Sequence, residues 1–113
     1  MLIIGHRGAA GLEPENTIRS FKKAEEYKVD MIEMDLRKTV DNKIVIFHDP
    51  DLERLFGVQK EIKDLTLKEI KRISADYDRE IPTLREVLEA VSTPLNFHVK
   101  VHNLETDLIK TLK

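Results

Sequence analysis

The 113-residue sequence contains no cysteine and no tryptophan. The absence of cysteine excludes disulfide bonds and thiolate ligands, so a metal site would have to use carboxylates, imidazoles or water. Positive charge is not in excess either, because 19 lysines and arginines stand against 21 aspartates and glutamates, for a net charge of −2. Without a surplus of positive charge to hold a polyphosphate backbone, general nucleic-acid binding is not expected.

Long hydrophobic stretches are also missing. The apolar run at residues 44–47 is as long as any in the sequence and is far too short to cross a bilayer. The first residues show neither a basic segment nor a long apolar stretch, so they do not resemble a signal peptide. We therefore expect a cytoplasmic protein without membrane insertion. Its 41% hydrophobic and 35% charged residues are typical of one globular domain rather than a disordered chain.

Apolar patterns indicate strands that alternate with helices. We predict strands at residues 2–4, 31–36, 44–47 and 95–101, and helices that begin near residues 17, 66, 83 and 103. Thr66 and Thr83 each precede a glutamate by three positions, which is typical of a capping box. Residues 51–62 show no regular pattern. Nearly continuous apolar strands separated by helices predict parallel β/α units.

Two carboxylates on the second predicted strand, Glu33 and Asp35, are separated by one residue and therefore share a face. Two buried like charges repel each other unless a cation lies between them. Hard oxygen ligands favour Mg²⁺, Ca²⁺ or Mn²⁺. The alternative is an edge strand with a solvated acidic face, and the spacing alone leaves both interpretations open.

Further polar residues lie at the ends of the other predicted strands. His6 follows the first strand and His48 the third, and imidazoles suit acid–base chemistry. The fourth strand adds His98 and Lys100, while Arg7 lies beside His6; either cation could contact a phosphate. For each residue alone, a structural role or a salt bridge is the alternative. Because parallel strand ends converge on one edge, the set together predicts phosphoryl transfer or phosphodiester hydrolysis.

The order of these motifs resembles one family. Gly-His-Arg-Gly at residues 5–8, followed by Pro-Glu-Asn-Thr at residues 14–17, resembles the opening signature of glycerophosphodiester phosphodiesterases. Glu-Met-Asp at residues 33–35 is similar to that family's metal motif, and His-Asp-Pro at residues 48–50 to its second histidine motif. Residues 81–86 resemble the segment that leads into its next barrel helix. The similarity extends over nearly the whole chain.

The resemblance implies a fold and an activity. The fold is a (β/α)₈ TIM barrel, of which residues 1–113 would supply the N-terminal half with four parallel strands and a small active-site insertion at about residues 51–79. The reaction is the hydrolysis of glycerophosphodiesters, which are deacylated phospholipids, to glycerol 3-phosphate and an alcohol.

The resemblance also implies site residues. His6 and His48 would be the acid–base pair, and Glu33 and Asp35 would bind a divalent metal, commonly Ca²⁺ or Mg²⁺. The phosphate would be contacted by Arg7 and Lys100.

One position departs from the family's pattern. At the position of His98 the family usually has a glutamate that serves as a third metal ligand. A neutral imidazole removes one negative charge, which disfavours Ca²⁺ and Mg²⁺ and makes Mn²⁺ a further candidate. Either His98 takes over as a ligand or the site loses its metal.

The second departure is length, because a whole barrel needs about 200 to 250 residues. The chain could be a fragment, a half barrel that pairs with a second copy, or a truncated and degenerate relative. The alternative to an enzyme is a non-catalytic half barrel that binds phosphodiesters or has a structural role. Open sheet edges favour association, so we expect a homo-oligomer that completes the barrel and takes a small glycerophosphodiester as substrate. Lyase chemistry, in which a substrate hydroxyl attacks phosphorus to form a cyclic phosphate, would use the same residues.

Overall fold

A computed structural model gives the fold, and it describes residues 2–77, 79–100 and 104. The strands are β1 (Ile4–His6), β2 (Met31–Lys38), β3 (Ile44–Ile46), β4 (Asp51–Leu52), β5 (Val58–Glu61) and β6 (Leu95–Val99). The helices are α1 (Ile18–Glu26), α2 (Glu53–Phe56), α3 (Leu67–Ala75) and α4 (Leu84–Ala90), with a 3₁₀ turn at Ile62–Asp64. The helix predicted to begin near residue 103 lies outside the described residues.

Strand β2 lies at the centre of the main sheet. Strands β1 and β6 both run parallel to it, with Gly5 opposite Ile32 on one edge and Leu95 opposite Ile32 on the other. Helix α1 connects β1 to β2 and forms the crossover that two parallel strands need. The parallel arrangement predicted for the first, second and fourth strands is therefore confirmed.

The third predicted strand runs in the opposite direction. Strand β3 pairs antiparallel with the C-terminal end of β2, where Leu36 lies opposite Ile46. Only residues 39–43 separate the two strands, and a parallel connection needs a crossover of about a dozen residues or more. The prediction of four parallel strands was therefore wrong, and the described residues supply three.

Residues 51–62 are more regular than their sequence indicates. Strands β4 and β5 form a small antiparallel pair around α2, which ends at Gly57 with a φ of 69°. This segment covers a second hydrophobic cluster that includes Val45, Phe47, Leu52, Phe56, Ile62, Leu65, Ile70 and Ile81. That residues 51–79 form an insertion over the active site remains a prediction.

The main core lies between the sheet and helices α1 and α4. Ile32, Met34 and Leu36 on β2 are completely buried there, packed with Phe21 and Leu84 from the two helices. A large aliphatic or aromatic side chain contributes about 1.5–3 kcal/mol when it is fully buried. Both predicted capping boxes are present at the starts of α3 and α4. Among the described helices, none is long and apolar enough to cross a membrane.

The alternation of side chains along β2 places its acidic residues on the other face of the sheet. Because neighbouring side chains on a strand point to opposite faces, Glu33 and Asp35 lie on the face away from α1 and α4. Strand β6 pairs with the same stretch of β2, so its polar side chains lie beside the carboxylates. The core packing thus places the candidate site on the opposite face of the sheet.

Gly8 provides a test of the backbone that leads from β1 to this site. Its φ is 82°, and a Cβ atom there would lie 2.9 Å from Phe21 Cδ1 and from the backbone carbon of Ser20. We expect Gly8→Ala to lower the free energy of unfolding by about 1–3 kcal/mol. Urea unfolding measures this, with Gly11→Ala as the control because open space surrounds Gly11. Equal midpoints for the two variants would contradict the prediction.

Candidate active site

The site is built around the two carboxylates of β2. Glu33 is only 9% exposed and Asp35 only 1%. Asn16 Nδ2 donates a hydrogen bond of 3.0 Å to Asp35 Oδ2 and so fixes that carboxylate. His6 Nδ1 lies 2.8 Å from Glu33 Oε1, but the pair lacks hydrogen-bond geometry. This buried oxygen therefore has no hydrogen-bond donor among the described residues.

Strand β6 brings an imidazole and an ammonium group to the same carboxylates. The parallel register sets His98 opposite Asp35. His98 Nε2 lies 3.6 Å from Glu33 Oε2, and its Nδ1 lies 3.7 Å from Asp35 Oδ1. Lys100 Nζ lies 3.8 Å from the same Asp35 oxygen. These distances are longer than hydrogen bonds, so the imidazole and the ammonium group lie near the carboxylates without a hydrogen bond to them.

The donor set fits a divalent cation. Glu33, Asp35 and His98 each offer one ligand atom, and these atoms lie within 4.8 Å of one another. A buried carboxylate oxygen without a hydrogen-bond donor is costly, and a cation would remove that cost. Two carboxylates and one imidazole suit Mg²⁺, Ca²⁺ or Mn²⁺, and the imidazole shifts the balance toward Mn²⁺.

Arg7 lies between two acidic residues in the loop after β1. Its φ of 51° lies in the left-handed region, which residues other than glycine seldom adopt. Arg7 Nη1 donates a hydrogen bond of 3.1 Å to Glu15 Oε2. Its Nε lies 3.5 Å from Asp35 Oδ2 and is buried without an acceptor in the described part of the chain. This nitrogen is therefore a donor that a bound anion could use.

His48 is held from both sides in the loop after β3. Arg37 Nη2 and Nε donate hydrogen bonds of 2.6 Å and 3.2 Å to the backbone oxygen of His48. His48 Nδ1 lies 2.7 Å from Asp49 Oδ1. Hydrogen bonding from Arg54, and to a smaller extent from His48, lowers the pKa of Asp49 to about 2, although burial opposes this. Asp49 is thus ionised near neutral pH, and a carboxylate at this distance favours the proton of a neutral imidazole on Nδ1, which would leave Nε2 without a proton.

The seven predicted site residues are not all in direct contact. Six form one set of close contacts around the carboxylate pair: His6, Arg7, Glu33, Asp35, His98 and Lys100. His48 is connected to this set through Asp49, Arg54 and Glu15. The structure thus brings the predicted residues to one end of the sheet, with His48 at the margin.

Four residues that contact the predicted site residues were not predicted from the sequence. Three of them, Glu15, Asn16 and Asp49, lie within the motifs that resemble the family, and this position could have indicated a role in the site. Arg54 lies in the stretch that showed no pattern, and nothing in the sequence marked it. Burial raises the pKa of Glu15, but hydrogen bonds and charge from Arg54, together with Arg7, outweigh burial and lower it.

Comparison with known proteins places the chain in a family. Residues 6–113 match the profile of the Glycerophosphoryl diester phosphodiesterase family. The chain belongs to this family. It is 33% identical to a glycerophosphodiester phosphodiesterase of Bacillus subtilis (strain 168), over 94% of the chain and 41% of that relative.

Solved structures of the family have the same fold. A glycerophosphodiester phosphodiesterase from Thermotoga maritima matches with a TM-score of 0.92 and 36% identity, over the whole chain and 50% of that structure. An Oleispira antarctica phosphodiesterase in complex with the product sn-glycerol-3-phosphate matches at a TM-score of 0.84 and 32% identity, over 99% and 50% of the two chains. The predicted TIM-barrel fold, of which this chain supplies half, is confirmed. The chain spans about half the length of the relatives it matches.

Metal binding can be measured without any substrate. We expect the chain to bind Mn²⁺, and Asp35→Asn to weaken that binding at least about tenfold because it removes a charged ligand from a buried site. Isothermal titration calorimetry gives the affinity, and circular dichroism shows whether the variant is folded. Glu89→Gln removes an exposed carboxylate on α4 and serves as the control. Equal affinities for Asp35→Asn and native chain would exclude this site.

Proposed function

We propose that the chain carries the catalytic half of a metal-dependent glycerophosphodiester phosphodiesterase, which hydrolyses deacylated phospholipids to glycerol 3-phosphate and an alcohol. The observation that carries the proposal is the buried pair Glu33 and Asp35, with an oxygen that has no hydrogen-bond donor among the described residues and with cationic side chains nearby. The Oleispira antarctica relative, which holds sn-glycerol-3-phosphate as its product, supports the same substrate class.

Glu33, Asp35 and His98 would hold the divalent cation. Bound there, it would supply Lewis-acid polarisation of a phosphoryl oxygen. The buried carboxylates keep their ligand oxygens fixed, because Asn16 orients Asp35 and the strand pairing aligns His98 with it. Mg²⁺, Ca²⁺ and Mn²⁺ all remain candidates for this set of ligands.

Arg7 and Lys100 would bind the phosphate. Arg7 Nε is buried without an acceptor among the described residues, and Lys100 Nζ lies on the other side of Asp35. Charged donors aimed at phosphate oxygens stabilise the charge that spreads over them in the transition state. Both side chains lie beside the candidate cation ligands, so a phosphate in contact with them would also be close to the cation.

His6 and His48 would move the protons. One imidazole would take a proton from the attacking water, and the other would protonate the leaving alkoxide. The Nε2 of His48 is available for this because its Nδ1 faces Asp49. His6 is largely exposed and has its Nδ1 toward Glu33, so it too presents one nitrogen to a substrate.

Turnover of glycerophosphocholine tests the proposal. With Mn²⁺, Mg²⁺ or Ca²⁺ added, we expect hydrolysis, and we expect His48→Gln to reduce kcat by about 10²- to 10⁴-fold because general acid–base catalysis is lost. Lys68→Gln, on the exposed side of α3, serves as the control. Phosphorus NMR distinguishes glycerol 3-phosphate from a cyclic phosphate, which would indicate the lyase reaction instead. A folded chain without turnover under all three ions would contradict the enzymatic function. Phosphodiester binding without catalysis would then be the remaining hypothesis.

We propose a second copy of the chain as partner at the outer edges of the sheet. In the described residues, the outer edges of β1 and β6 have no pairing strand, and Ile3, Ile4 and Val99 are exposed there. Unpaired strand edges with exposed aliphatic residues promote association. Two copies would bring six parallel strands from their described residues, toward a closed barrel.

Light scattering after gel filtration tests this association. We expect a mass above the 13.1 kDa of one chain, and we expect Ile4→Lys to shift the mass toward the monomer. Val40→Lys changes an aliphatic residue of similar exposure in the turn between β2 and β3 and serves as the control. A clean monomer of the native chain would contradict self-association.

A further inference from the structure

Arg54 connects two loops that carry the predicted catalytic residues. It lies on α2, and its guanidinium makes bidentate hydrogen bonds with two carboxylates. Nε and Nη2 donate to Asp49 Oδ2 and Oδ1 at 2.8 Å and 3.1 Å. Nη1 and Nη2 donate to Glu15 Oε1 and Oε2 at 3.1 Å and 2.9 Å. One planar group thus joins the loop after β1 to the loop after β3.

On one side, this contact reaches His48. Asp49 Oδ1, which accepts from Arg54 Nη2, also lies 2.7 Å from His48 Nδ1. Arg54 therefore fixes the position of the carboxylate that orients the imidazole. An ionised Asp49 in this position favours the Nδ1–H tautomer of His48.

On the other side, the contact reaches Arg7. Glu15 Oε2 accepts from Arg54 Nη2 and from Arg7 Nη1, at 2.9 Å and 3.1 Å. Glu15 in this position holds the Arg7 guanidinium beside Asp35, where its Nε lies 3.5 Å from that carboxylate. The same arginine thus supports the residue proposed to bind phosphate.

We propose that Arg54 is a positioning residue, which sets the tautomer of His48 through Asp49 and the place of Arg7 through Glu15. This inference rests on the proposed phosphodiesterase function. A lysine cannot replace Arg54 fully, because only a planar guanidinium can present two parallel donors to each of two carboxylates. Without the arginine, Glu15 and Asp49 repel each other and Asp49 is free to turn away from His48.

The test measures the tautomer of His48 directly and needs neither metal nor turnover. Long-range ¹H–¹⁵N spectra of the native chain should show neutral His48 with its proton on Nδ1. In Arg54→Ala we expect a mixture of the two tautomers, and added guanidinium ion should restore the native pattern. Arg54→Lys should give a smaller shift and serves if the alanine variant does not fold. Arg85→Ala, an exposed arginine on α4, should leave His48 unchanged.

Kinetics and unfolding separate positioning from a purely structural role. We expect kcat to fall about ten- to hundredfold in Arg54→Ala, as for a small misplacement of catalytic groups, and to recover in part with guanidinium ion. We expect a small change in the thermal midpoint, because Arg54 is 47% exposed and its ion pairs are screened by water. A lower midpoint with unchanged His48 spectra and unchanged kcat would overturn the inference.

The two proposals can fail separately. If the native chain shows no turnover under any ion, the phosphodiesterase function fails, while a His48 tautomer that responds to Arg54→Ala still supports the positioning role. If the native chain turns over and the His48 spectrum does not respond in either Arg54 variant, the positioning role fails and the phosphodiesterase function stands.

Discussion

The burial of two carboxylates side by side on β2 is the constraint on which the site depends. Glu33 and Asp35 share a face, are almost fully buried and repel each other. Nearby cations and hydrogen-bond donors reduce this repulsion. Arg7 and Lys100 lie beside Asp35, Asn16 donates a hydrogen bond to it, and two imidazoles lie within 4 Å of the carboxylates. Arg7 and Asn16 both have positive φ angles, so the loop after β1 holds two residues that face Asp35 in a backbone conformation that is uncommon outside glycine.

A second layer of charge surrounds the first. Glu15 and Asp49 accept hydrogen bonds from Arg54, and each also faces a residue that the proposed reaction uses. The small segment around α2 is therefore connected to the barrel by an ion network as well as by its own hydrophobic cluster. The loops after β1 and β3 both contact the guanidinium of Arg54. A movement of the segment around α2 would therefore change the positions of His48 and Arg7 together.

The sequence predicted those features that follow from local rules. Alternation along β2 predicted the shared face of Glu33 and Asp35, and the Thr-x-x-Glu pattern predicted both capping boxes. The antiparallel direction of β3 was not predicted, because an apolar run alone does not indicate how a strand pairs. The short connection at residues 39–43 would have indicated an antiparallel pair. Arg54 was not predictable, because its partner Glu15 is 39 positions away and no periodicity relates them.

His98 gives the site a particular charge balance. With the histidines counted as neutral, the four carboxylates Glu33, Asp35, Glu15 and Asp49 are balanced by four basic groups, which are Arg7, Arg37, Arg54 and Lys100. A glutamate in place of His98 would add one negative charge and raise the cost of folding without a cation. A divalent cation would give the present set two positive charges, which would attract an anion. The imidazole therefore weakens the binding of hard cations while keeping a net charge that would suit the phosphodiester proposed as substrate.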